Sequence, residues 1–384
     1  MDVNTTAGPV RGLHDGKVTA FRGIPYATAK RFQPPTPHPV WTEPRDASKP
    51  GPEAPQLQSR LAWVMGERQL NWAEDGCLNL NVWTTDTTTR KPVLVWFHGG
   101  GFTSGSGGWD WYDGGILAGN HDIVVVTANY RLGPLGYVYL PDLNADNLGA
   151  QDQQAVLRWV HDNIAAFGGD PDQITVGGQS AGAYSALYLA IDPATKDLVH
   201  RVVLESGPYA LPPLDPEAAT RIADKFLDVL GADPMEATVE QILATLPKLA
   251  EPGRAAPPLM PVRTGAGYPK PWPEADLTDL DVLIGHTRDE MVAFGGAPDI
   301  FEPGVHTIAE AANGFAYRFD RTGPLGAPHC VEIPYLFGTF EAFENSPMLG
   351  PEPKRTTDFG DAVAQFTKTG DPGWPRYPEF RHFV

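Results

Sequence analysis

The sequence predicts an α/β fold built on a mostly parallel central sheet with flanking helices. Between residues 90 and 206, continuously apolar runs of strand length alternate with longer runs of helical periodicity, which is the order expected of βαβ units. Residues 1–90 carry short strand patterns among many prolines, which favours an antiparallel edge. At 384 residues the chain can form one domain of this class, so we expect a single domain over 1–384.

Two strands and one helix give the clearest local signals. Residues 93–97 (VLVWF) are apolar throughout, as expected of a strand that is covered on both faces. Residues 174–176 (ITV) predict a second buried strand, and residues 181–190 are good helix formers with one apolar face.

The pattern changes after this region. Helical periodicity at 216–230 and 237–249 is followed by a proline-rich run. We interpret residues 208–280 as a reduced cap inserted into the fold. A further buried strand is expected at 282–285, and another at 315–319.

The junction between the strand at 174–176 and its helix reads GQSAG at 178–182. A GxSxG between strand and helix is a nucleophile elbow, the strained turn that presents a serine hydroxyl in the α/β-hydrolase fold. The two glycines leave space where a Cβ would strike a neighbouring strand or helix. On its own the pattern also fits a plain tight turn, so Ser180 needs supporting groups to act as a nucleophile.

A run of glycines upstream provides one of the supporting features that Ser180 needs. The strand at 93–97 leads directly into HGGG at 98–101, and consecutive glycines are unfavourable in chain entropy unless the backbone needs them. The N–H groups of Gly100 and Gly101, with that of Ala181, predict an oxyanion hole for attack by Ser180. The alternative interpretation of the glycine run is a flexible loop tip.

The base and the acid are sought after Ser180, where this fold places them. The histidines in that region are His200, His286, His306, His329 and His382. His329 lies in a turn-rich loop after the predicted strand at 315–319, where such folds gather their chemistry. For the acid, Asp289 and Glu290 both follow a predicted strand, and periodicity does not choose between them.

Further motifs spread over nearly the whole chain. They include FRGIPYA at 21–27, NYRLG at 129–133, FGGDP at 167–171 and VHRVVLESG at 199–207. Together with the elbow they resemble the type B carboxylesterases, the family of the para-nitrobenzyl esterases and the cholinesterases. The resemblance implies that Glu290 is the acid and His329 the base, and that Ser206 is a supporting residue that hydrogen-bonds near the acid.

The resemblance implies a serine carboxylesterase that transfers an acyl group from a small-molecule ester to water. No cofactor and no metal are expected. Hydrolysis of thioesters, lactones or polyesters remains an alternative, because the triad does not by itself determine which leaving group is expelled. A non-catalytic binding module is the alternative from another class.

Departures from the family bear on the substrate pocket. Gln179 stands where most members have glutamate, Met291 replaces the glycine after the acid, and the connection from Glu290 to His329 is short. We therefore expect a wider, more open site that accepts bulky or aromatic esters. The candidate pocket residues are Phe102, Trp109, Trp111 and Gln179. For the two tryptophans, the alternative is that they cap the core beneath the glycine loop.

Charge and cysteine content limit the classes of partner and the cellular compartment that we expect. The chain has 29 basic and 47 acidic residues, a net charge of −18, which disfavours nucleic acid and anionic membrane surfaces as partners. The start of the chain lacks the charge and apolar core of a signal peptide, and Cys77 and Cys330 are expected to be free thiols. These features predict a cytoplasmic protein, while its oligomeric state stays open.

Overall fold

A computed structural model describes residues 1–251, 253, 255–350 and 353–384. Within these residues the chain forms a twelve-stranded sheet and a two-stranded ribbon. The strands are β1 (Asp2–Asn4), β2 (Pro9–Asp15), β3 (Val18–Pro25), β4 (Ala27–Thr28), β5 (Thr36–Pro37), β6 (Arg45–Ala47), β7 (Asn79–Thr84), β8 (Lys91–Phe97), β9 (Val124–Ala128), β10 (Gly169–Gln179), β11 (Arg201–Glu205), β12 (Asp281–Thr287), β13 (Phe315–Phe319) and β14 (Phe380–Phe383). The α-helices are α1 (Ala62–Met65), α2 (Gly115–His121), α3 (Gly133–Tyr137), α4 (Leu148–Asn163), α5 (Ala181–Ile191), α6 (Pro216–Leu230), α7 (Val239–Leu243), α8 (Leu246–Leu249), α9 (Glu302–Ala311), α10 (Ile333–Phe337) and α11 (Asp358–Thr369). Over these described ranges, no helix combines the length and apolar character needed to cross a bilayer.

The sheet has an antiparallel edge and a parallel centre. Its order is β1-β2-β3-β7-β9-β8-β10-β11-β12-β13-β14, with β6 beside β2. The pairs from β1 to β9 along this order are antiparallel, and those from β9 to β14 are parallel. The predicted antiparallel edge and parallel sheet are confirmed. Because the central strands are parallel, the carboxyl ends of β8, β10 and β12 lie at one edge.

The apolar run in β8 is explained by burial on both faces. Val93, Val95 and Phe97 pack into one core cluster, and Leu94 and Trp96 pack into a second. Alternate side chains of a strand point to opposite faces, so each cluster covers one face of the sheet. This arrangement fixes the position of the loop that leaves β8 toward the serine.

The segment between β11 and β12 contains the predicted helical patterns, with one difference. Helix α6 has the predicted bounds, and Asp215 caps it by accepting a hydrogen bond from the Ala218 amide (2.7 Å). The second pattern, 237–249, was predicted as one helix and is two, α7 and α8. Pro247 is the physical reason, because a proline inside a continuous helix would lack an N–H and clash with the carbonyl four residues earlier.

Candidate active site

Ser180 lies on the sharp turn between β10 and α5. Its backbone has φ 58° and ψ −121°, a strained conformation for a residue with a side chain. A Cβ on Gly182 would lie 1.9 Å from the carbonyl oxygen of Phe97, and one on Gly178 would lie 2.4 Å from the carbonyl carbon of Gly182. Both glycines are therefore required for the close approach of α5 to β8, and the turn has the geometry predicted for the elbow.

The glycine loop after β8 lies directly against the serine. A Cβ added to Gly99 would be 3.1 Å from the Ser180 Cβ, and Gly100 and Gly101 have φ values of 106° and 60°. Among the described residues, none accepts a hydrogen bond from the backbone N–H of Gly100, Gly101 or Ala181. The site thus has three unpartnered amide donors near the hydroxyl.

The structure brings His329 to Glu290 rather than to Asp289. The imidazole Nδ1 hydrogen-bonds to Glu290 Oε2, and the Thr287 amide donates to Oε1 (2.8 Å). Burial raises the pKa of Glu290, but the interaction with His329, together with hydrogen bonds from Ser206 and the Thr287 amide, outweighs burial, so the net pKa is lowered. Asp289 does not contact His329 and instead pairs with Arg288 (2.8 Å).

The link from the imidazole to the serine is not made in this conformation. His329 Nε2 lies 3.2 Å from the amide nitrogen of Gln179. Because Nδ1 donates to Glu290, Nε2 carries the lone pair and accepts from Gln179. Ser180 Oγ has no hydrogen bond to any residue in the described ranges. Gln179, predicted as a pocket residue, contacts the proposed base instead.

Ser206 lies behind the acid and connects it to a second carboxyl group. Its backbone has φ 51°, and its hydroxyl donates to Glu332 Oε1 (3.2 Å) while also helping to lower the pKa of Glu290. Glu332 is fully buried. Burial, followed by the negative charge of Glu290, raises the pKa of Glu332 to about 7.

Glu205 adds a third buried carboxyl group. Burial and then the charge of Glu332 raise its pKa well above the usual value, and within the described ranges neither of its oxygens has a hydrogen-bond partner. Neither Glu205 nor Glu332 is among the site residues predicted from the sequence. The available signal was a glutamate ending the apolar strand β11, and another three residues after His329 in a largely apolar run.

The cavity at Ser180 is narrow. Its volume is about 10 Å³, enough for roughly one water molecule. Its cover is formed by Pro208, Ala255, Pro257, Phe294, Ile300 and Phe301. The structure therefore lacks the open site that we expected from the short connection between Glu290 and His329. Three separate loops each place apolar side chains over the serine.

The aromatic residues near the glycine loop divide between cavity and core. Phe102 is buried, lines the cavity and packs 4.8 Å from Tyr137 between ring centroids. Trp109 donates its indole N–H to Glu53 (2.6 Å) and Trp111 donates to the carbonyl of residue 342 (3.1 Å). Neither tryptophan lines this cavity. Packing and hydrogen bonds hold both in the core, which is the position that the alternative interpretation gave them.

Sheet order, elbow and the position of the histidine loop define an α/β-hydrolase fold. Residues 1–296 match the family model described as the carboxylesterase family. The chain belongs to this family, and it is a carboxylic ester hydrolase acting on small-molecule esters with water. The predicted family, fold and reaction class are confirmed.

The similarity extends over whole chains. A probable N-octanoylanthranilate hydrolase of Rhodococcus erythropolis is 38% identical, with 99% of this chain and 96% of the relative aligned. The para-nitrobenzyl esterase of Bacillus subtilis (strain 168) is 33% identical over 98% of this chain and 92% of the relative. A solved PNB esterase structure superposes with a TM-score of 0.87 at 29% identity, covering 99% of this chain and 93% of that one.

Proposed function

We propose that the protein hydrolyses carboxylic esters through an acyl-enzyme formed on Ser180, with His329 as base and Glu290 as the acid that orients it. The observation that carries this is the buried His329–Glu290 pair, whose imidazole contacts Gln179, the residue that precedes a serine held in a strained elbow conformation. Gly100, Gly101 and Ala181 would supply the oxyanion hole.

The chemistry follows from these positions. Ser180 Oγ attacks the ester carbonyl carbon as His329 Nε2 takes the hydroxyl proton, and the free backbone amides hold the resulting oxyanion. Collapse breaks the C–O bond, and the alcohol leaves with the proton from His329. Water then repeats the sequence and releases the acid. Since Gln179 donates to Nε2 before the reaction, the imidazole must exchange that donor for Ser180.

We also propose that residues 208–280 act as a cap on a single domain that spans 1–384. Pro208, Ala255 and Pro257 from this segment line the cavity at the serine, which supports a covering role. Bulky or aromatic esters would then enter only after these side chains move.

Cytoplasmic location and the absence of nucleic-acid or membrane partners are part of the same proposal. The acidic net charge of −18 supports it, as do the two free, buried thiols of Cys77 and Cys330. Cell fractionation with antibody detection tests the location.

Amide hydrolysis is a second candidate. The Rhodococcus erythropolis relative, aligned over nearly its whole length, is named for an N-acyl substrate, and the same triad chemistry can expel an amine. Comparing kcat/KM for 4-nitrophenyl acetate, its thioester counterpart and 4-nitroacetanilide decides which leaving group the site favours.

Ser180→Ala tests the proposal. We expect kcat on 4-nitrophenyl acetate to fall by about 10⁶-fold, the scale seen when a serine triad loses its nucleophile. Ser185→Ala is the matched control, because Ser185 is a buried serine further along α5 whose hydroxyl lies by Tyr268 (3.5 Å). Retention of more than a tenth of wild-type turnover in Ser180→Ala would refute the assignment, as would failure of a fluorophosphonate to label Ser180.

A further inference from the structure

Arg60 places a cation at the edge of the Ser180 cavity. Its Nη2 donates to the carbonyl of Ala255 (2.5 Å) and its Nη1 contacts that of Ala256 (3.4 Å). Much of the side chain is exposed, but the guanidinium packs against protein, and this burial lowers its pKa without an offsetting carboxylate in the described ranges. An arginine remains protonated under such conditions, so among the residues that the structure describes its charge has no carboxylate partner.

The guanidinium lies near the glycine loop and near the phenylalanine ring that contacts the proposed base. A Cβ on Gly101 would be 3.5 Å from Arg60 Nη2, and the guanidinium carbon is 5.3 Å from the centre of the Phe294 ring. That ring is in turn 5.2 Å from the His329 ring. Because the base returns its proton to the leaving oxygen, the alcohol part of an ester lies near these residues.

We propose that Arg60 is a specificity residue that binds a carboxylate on the leaving group of the substrate. The inference rests on the proposed function and narrows it to esters of hydroxy acids, including carboxyphenols. Described residues use two of the five N–H donors of Arg60. No residue in the described ranges accepts from the other three, which would meet a carboxylate in the forked geometry that guanidinium favours.

The charge of the whole molecule supports this role. A protein of net charge −18 repels anionic substrates at long range. A cation at the edge of the cavity would offset that repulsion locally. If Arg60 only held the cap segment, or only stabilised the oxyanion, it would affect neutral and anionic esters alike.

The test compares 3-carboxyphenyl acetate with its neutral counterpart 3-carbamoylphenyl acetate. In Arg60→Gln, we expect kcat/KM for the anionic ester to fall about 10- to 100-fold, mainly through KM, as for loss of a charged hydrogen bond. The neutral ester should change less than twofold, and Arg60→Lys should recover part of the loss.

Arg68→Gln is the control, because Arg68 pairs with Asp110 (2.6 Å) and does not line the cavity. An equal fall on both esters, or no fall on either, overturns the role of Arg60 in carboxylate binding. If the wild-type protein hydrolysed neither ester and did not turn over 4-nitrophenyl acetate, the proposed function itself would be overturned. The two failures are therefore distinguishable.

Discussion

Replacing Glu332 with glutamine should stabilise the protein at alkaline pH relative to acidic pH. The side chain is fully buried and lies between two other carboxyl groups, Glu290 and Glu205. Glutamine has nearly the same shape and keeps an oxygen that can accept the Ser206 hydroxyl. The substitution therefore removes an ionisation and little else.

The magnitude follows from the pKa of Glu332. The folded protein raises it from 4.5 to about 7, so between these pH values the folded state binds more protons than the unfolded chain. The free energy of unfolding then falls as pH rises, and from pH 5 to pH 8 this one group contributes a fall of about 2 to 3 kcal/mol. The glutamine variant lacks this contribution and should have a correspondingly flatter pH dependence.

Urea unfolding at pH 5 and pH 8, at matched ionic strength, measures the effect. Glu205→Gln should flatten the pH dependence as well, because burial also raises the pKa of Glu205. Glu344→Gln is the control, since Glu344 is an exposed glutamate, and its pH dependence should match that of the wild type. Equal pH dependence in Glu332→Gln and wild type, or an equal change in Glu332→Gln and the control, would refute the reasoning.

Two further substitutions test packing around the site. Gly182→Ala places a Cβ 1.9 Å from the Phe97 carbonyl oxygen, so the elbow must move. We expect kcat on 4-nitrophenyl acetate to fall by about 10²-fold or more. A wild-type kcat in a variant that circular dichroism shows to be folded would contradict this. Arg131→Ala leaves the buried Asp152 without the guanidinium that binds both its oxygens (2.7 and 2.8 Å). Urea unfolding should show that the free energy of unfolding falls by about 3 to 5 kcal/mol. A fall under 1 kcal/mol would show that the pair contributes little to stability.

The features that were predictable from the sequence have local signals. The strand β8 is apolar at nearly every position because both its faces are buried. The elbow needs glycines at 178 and 182 because main-chain atoms of neighbouring elements occupy the space of a side chain. Such requirements act within a few residues, so a single sequence records them.

The features that could not be predicted depend on distant parts of the chain. A glutamate at a strand end usually meets solvent, and only the packing of β11 against the histidine loop buries Glu205 and Glu332. Trp109 and Trp111 follow the glycine loop, yet their indole groups meet Glu53 and residue 342. The narrow cavity likewise arises from three loops that are far apart in sequence.

Side-chain contacts are part of what holds the loops that line the Ser180 cavity. Phe294 and Phe301 contact each other with ring centroids 5.6 Å apart, and Arg60 meets the carbonyl of Ala255. Contacts of these kinds contribute about 0.5 to 3 kcal/mol each, which a bound substrate can replace. The Phe301 ring also lies 4.5 Å from the His329 ring. Displacing it to admit an ester would free the imidazole to turn from Gln179 toward the serine, which couples entry of the substrate to assembly of the reactive hydrogen bond.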